Sequence, residues 1–160
     1  MVRFACLALA WAIALLVHAG STLAPERIYA QELVNQTVAS HPGLLVVAMH
    51  VTPPGDSENV IIASNIGRIG KRADAEDRRV IDTGETLAKV NQYGDRFEVE
   101  LVLHDAWRRP IGALAIVFPY KAGEAPSKFE ERAAAIRDEL AARIPGVASL
   151  MQPYPASRAK

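Results

Sequence analysis

Three histidines beyond residue 24, His41, His50 and His104, are the side chains best suited to proton or metal chemistry, and their spacing does not join them. None forms a pair at helical or hairpin spacing, and no cysteine stands nearby to complete a site, so no metal is expected. His50 and His104 each fall near the end of a strand-like run. If the sheet brings them together, the pair would answer to pH or to a metal. Otherwise each is a partly exposed strand-end side chain. Ser64, Asn65 and Arg68 follow a second apolar run, where a loop can cap a pocket. Arg68 offers a planar fork for a carboxylate, whereas Ser64 and Asn65 can equally do no more than close a turn. Tyr93, Arg96 and Glu98 stand on segments able to line the same face.

Catalytic constellations are not evident. Ser64 lacks a Gly-x-Ser-x-Gly elbow, and no two carboxylates are held at a suggestive spacing, so the reading is non-enzymatic. Gly67 and Gly70 lack the third glycine of a phosphate-cradling fingerprint and read as a turn. No cofactor motif is present. Trp107, Arg108 and Arg109 form a conspicuous polar turn, which is either a docking spot or a plain hairpin tip.

The elements that must position these residues begin after an export signal. Arg3 precedes an apolar run from Phe4 to Val17, and no acidic residue occurs before Glu26. A short basic start, an apolar stretch and small residues afterwards fit a secretory signal over 1–24, with cleavage after Ala19 or Ala24. An uncleaved anchor is the alternative, although the run is shorter than the about 20 residues of a spanning helix. Cleavage removes Cys6, the one cysteine, which leaves no disulfide and no thiolate site. The expected location is the periplasm. The chain balances 18 basic against 18 acidic residues with no basic stripe, which excludes a nucleic-acid footprint.

Residues 25–150 read as one domain and 151–160 as a disordered tail. A helix is predicted over Pro25–Ser40, with a stripe of Ile28, Leu33, Gln36 and Val38, and His41-Pro42-Gly43 stops it. Leu44–Val51 is apolar on both faces, as a buried central strand must be. Val60–Ala63 is a short second strand. Asp74 and Asp77 then open a helix that Gly84 ends. Thr86–Tyr93 is a third strand. Arg96–Asp105 alternates, with Phe97, Val99, Leu101 and Leu103 facing inward and Arg96, Glu98, Glu100 and His104 outward. Ile111–Phe118 is again apolar on both faces. The closing helix carries a Ser127/Glu130 capping box and an apolar face of Phe129, Ala133, Ile136, Leu140 and Ile144.

The two doubly apolar strands belong side by side at the centre. Setting each remaining strand beside its sequence neighbour predicts an α+β fold. Its five-stranded antiparallel sheet has order 2-1-5-4-3, with N- and C-terminal helices flanking it. That is a PAS-like arrangement. The run Asn59–Asn65 with Arg68-Ile69-Gly70-Lys71 resembles the second strand and following loop of extracytoplasmic PAS-like sensor domains, the Cache family. Leu101–Asp105, a polar turn and Pro110-Ile111-Gly112-Ala113-Leu114 resemble their final hairpin. The resemblance covers roughly residues 33–120.

The resemblance implies a small-molecule ligand between the sheet and the loop–helix region. His50, Ser64, Asn65, Arg68, Tyr93 and His104 are the candidate contacts. The family's usual output domain does not follow in this sequence, so the expected partner is a periplasmic or inner-membrane protein, and a second copy of the chain is a further candidate. The competing readings are a protein-interaction module without a small-molecule pocket and, less favoured, a hydrolase assembled in space from His50, His104 and Ser64.

Overall fold

The computed structural model describes residues 27–154. The expected secretory signal, its cleavage positions and the end of the tail therefore lie outside the described residues. Along the chain run β1 (Arg27–Ile28), α1 (Tyr29–Ser40), β2 (Val46–Val51), β3 (Val60–Ser64), α2 (Ala75–Thr83), β4 (Leu87–Val90), β5 (Arg96–His104), β6 (Pro110–Pro119), α3 (Pro126–Ala141), α4 (Val147–Leu150) and β7 (Pro153–Tyr154). The fold is α+β. Its main sheet has five antiparallel strands in the order β3-β2-β6-β5-β4, while β1 and β7 pair separately. Among the described residues no helix is long and apolar enough to cross a membrane.

The two strands that are apolar on both faces, β2 and β6, pair with each other at the centre, from Val46 opposite Val117 to Val51 opposite Gly112. Each face of the sheet has its own cover. Val47, Met49, Phe97, Val99, Leu101, Leu103, Leu114, Ile116 and Phe118 pack into the main core beneath α1 and α3. Phe129 of α3 stacks on Phe97 with ring centroids 4.8 Å apart. On the opposite face the cover is the nine-residue α2, whose Val80 packs on Val102 and Ala113. Asp74 caps α2 through a reciprocal capping box with Asp77, and Gly84 closes it in the left-handed conformation at φ 76°.

Several expectations need correction. α1 begins at Tyr29 rather than Pro25, and its buried stripe is Ala30, Leu33, Val34 and Thr37. That i, i+3, i+4, i+7 pattern is muted in the sequence because Ala and Thr carry little hydropathy. The Ser127/Glu130 capping box is not formed. α3 starts at Pro126 with Ala125 as its N-cap, because the fixed φ of proline suits the first helical position and moves the start ahead of Ser127. Residues 151–154 are not a loose tail: β7 pairs with β1, Tyr29 N–H donates to the Gln152 carbonyl at 2.8 Å, and Tyr154 stacks on Tyr29. These long-range contacts leave no periodic trace in the sequence. The polar side of β5 is solvated only at its start: Arg96 is exposed and Glu98 half-buried, while α2 covers the strand further on and Glu100 and Val102 are buried.

Candidate functional site

A cavity of about 270 Å³ lies on the α2 side of the sheet, roofed by α2 and the β3–α2 loop. The sequence leaves this space open. β2 and β6 present Ala48 and Ala115 there, side chains too small to reach the cover, and α2 is too short to span the sheet. The wall mixes apolar side chains with charges of both signs. Arg68, Lys71, Lys89 and Arg96 face Asp74, Glu76, Asp77, Glu98 and Glu100. Lys71 pairs with Asp74 at 3.3 Å and Lys89 with Glu76. Among the described residues Arg68 and Arg96 pair with no carboxylate, so two guanidinium groups stand available at the cavity wall.

Three side chains from three elements meet at the inner end: His50 of β2, Asp77 of α2 and Glu100 of β5. They are 3 %, 5 % and 9 % exposed. Their placement follows from the ladder. His50 opposes Ala113 and Ala48 opposes Ala115, while on the other side of β6 Ala115 opposes Glu100. His50 and Glu100 therefore share one face, separated by the width of β6. Asp77 reaches down from the first turn of α2, fixed by the Asp74 N–H that donates to its Oδ2 at 2.7 Å.

His50 Nδ1 stands 3.5 Å from Asp77 Oδ2 and makes no hydrogen bond, and Glu100 Oε1 is likewise buried without a partner. Such groups are costly to leave unpaired. Burial holds the His50 imidazole below its ordinary pKa, and Lys71 adds to this against the pull of Asp77 and Asp74. Glu100 is pushed up to about 9, first by burial, then by the neighbouring carboxylate of Asp77, with the charges of Asp74 and Glu98 adding to it. At neutral pH the cluster holds a neutral imidazole and a carboxylic acid. The imidazole lone pair can take a cation or accept a hydrogen bond, whereas the carboxylic acid can donate one and releases its proton when it coordinates a cation.

The residues singled out in the sequence divide. His50, Ser64 and Arg68 line the cavity together. Ser64 is buried, and its Oγ accepts from Ile66 N–H at 3.2 Å. Arg68 is held at φ 66°, in the left-handed region that few non-glycine residues occupy. Asn65 does not line the cavity. Its Oδ1 accepts from Val47 N–H and its Nδ2 donates to the Leu45 carbonyl, which ties the turn to β2. Tyr93 is 79 % exposed in the β4–β5 turn, because β4 ends at Val90 and Asn91 closes the turn ahead of it. Arg96 and Glu98 do line the cavity.

His104 does not meet His50. A bulge between Leu103 and His104 breaks the alternation of β5 and sends His104 into a groove with Arg137 and Asp138 of α3. The set of His50, His104 and Ser64 is therefore not assembled. Asp77 and Glu100 were missed as site residues. In the sequence Asp77 reads as a helix cap, which it also is, and Glu100 falls on the outward face of β5. The sheet order combined with the register of β5 against β6 is the signal that puts Glu100 on the face of His50.

A scan against protein-family models matches none of them. Among curated proteins no significantly similar sequence is found either.

Proposed function

We propose that the chain is an exported PAS-like sensory domain of the Cache type. It takes a small carboxylate-bearing molecule in the cavity beneath α2 and acts through a partner protein as a binding rather than a catalytic module. The observation that carries this reading is the cavity itself: about 270 Å³ between the sheet and the loop–helix cover, with the unpaired guanidinium groups of Arg68 and Arg96 on its wall. Guanidinium forks match carboxylates bidentately. The volume lies at the small end for ligand sites, which fits a molecule of a few heavy atoms. Further support comes from the sheet, which counted with β2 as its first strand reads 2-1-5-4-3. The strained conformation of Arg68 is also of the kind that gathers at binding sites. Export rests on the composition of residues 1–24.

The test is thermal unfolding with acetate, succinate and glutamate as probes. A probe that binds only the native state at about 100 times its Kd adds about 2.7 kcal/mol. The expected result is a raised Tm with at least one probe, lost in Arg68→Ala and Arg96→Ala. No shift with any of the three sinks the carboxylate reading. A second reading, an interaction module working through the β5–β6 tip, draws on Trp107, which is 75 % exposed beside Arg108 at φ 60°. It predicts that Trp107→Ala abolishes partner capture while leaving the Tm unchanged.

A further inference from the structure

We propose that His50, Asp77 and Glu100 form a binding site for a divalent first-row transition cation, with Zn²⁺ the best match. The ligand atoms of all three lie within 4.8 Å of one another. His50 Nδ1 and Asp77 Oδ2 are 3.5 Å apart. Two ligands each about 2.1 Å from a tetrahedral zinc ion stand about 3.4 Å apart, so this pair already has the spacing that zinc requires. The Glu100 carboxylate, within 4.8 Å of the other two, supplies the third vertex once it draws in toward the ion.

One observation independent of the carboxylates points to a bound cation, the unpartnered Nδ1 of the buried His50. His50 Nδ1 and Glu100 Oε1 are both unpartnered atoms on side chains at least nine-tenths buried, and both belong to residues that line the cavity. Lone pairs so placed are costly when empty and favourable when they coordinate. The Asp74 N–H that donates to Asp77 Oδ2 orients that carboxylate, as outer partners of metal ligands do.

The donor set selects the ion. One imidazole nitrogen and two carboxylate oxygens suit zinc or its first-row neighbours, whereas magnesium and calcium prefer oxygen alone. Three protein ligands leave a fourth position, and the cavity supplies room there for water or a ligand oxygen. A cation at this point would also tie α2 to β2 and β5, because each element gives one ligand. The inference does not depend on the carboxylate reading, since it uses none of the arginines.

Equilibrium dialysis of the full chain with Zn²⁺ after treatment with EDTA tests it, alongside a Co²⁺ titration followed by visible absorption. The expected result is saturation at one ion per chain, with intense Co²⁺ bands typical of tetrahedral coordination. His50→Ala and Glu100→Gln should each weaken Zn²⁺ binding by at least ~10-fold. Glu100→Gln is nearly isosteric and serves if His50→Ala fails to fold. Zn²⁺ should raise the wild-type Tm and leave that of Glu100→Gln nearly unchanged. Absence of saturable Zn²⁺ binding overturns the proposal, as does binding of unchanged affinity in Glu100→Gln. Neither result would alter the outcome with acetate, succinate and glutamate.

Discussion

Glu100 gives the protein a pH dependence of stability opposite in sign to that of most carboxylates. Its folded-state pKa is pushed up to about 9 from an ordinary 4.5. Between those values the native state keeps a proton that the unfolded chain has released. Stability then falls as pH rises, because the slope follows protons bound in the unfolded minus the native state. At about 1.4 kcal/mol per unit, the ceiling from pH 5 to pH 8 is roughly 4 kcal/mol. Solvent entering the cavity relaxes around the carboxyl, so the expected loss is about 2 kcal/mol. His50 works in the other direction: its lowered pKa removes stability as pH falls below about 6.5. Glu100→Gln keeps the neutral shape and removes the titration, which isolates the Glu100 contribution. Urea denaturation in EDTA at half-unit steps from pH 5 to pH 8.5 should show the wild type losing stability relative to Glu100→Gln. At pH 8 the variant should be more stable by about 2 kcal/mol. Parallel profiles for the two proteins would refute the argument.

Two further changes test how the site is held. A Cβ at Gly112 would stand 2.0 Å from the His50 carbonyl oxygen, so Gly112→Ala must push β6 away from β2 at the site histidine. It should cost about 2–3 kcal/mol in urea denaturation. Asp74→Ala removes the side-chain cap of α2, which accepts from the N–H groups of Glu76 and Asp77. The expected loss is about 1 kcal/mol, with faster amide exchange in the first turn of α2 by NMR.

Much of the frame is legible in the sequence. The doubly apolar runs mark β2 and β6 as central, and Asp74, Asp77 and Gly84 mark both ends of α2, because each signal is local. The site is less so. Glu100 reads as a solvated side chain until α2 is known to lie over it, and the cavity exists because Ala48 and Ala115 happen to share one face. His104 follows the alternation of β5 until a bulge turns it away, and β-bulges of this kind depend on the partner strand rather than on local sequence. Residues 27–28 and 153–154 pair only because the fold brings the ends of the domain together.

On the proposed reading, the cavity beneath α2 takes a small carboxylate ligand. The most direct test of that reading is an NMR titration of the ¹⁵N-labelled protein with acetate, succinate and glutamate. Saturable amide shifts centred on Ser64, Arg68, the first turn of α2 and Arg96–Glu100 are the expected result. Shifts centred on the Trp107 tip or the His104 groove, or no saturable shifts at all, would contradict it.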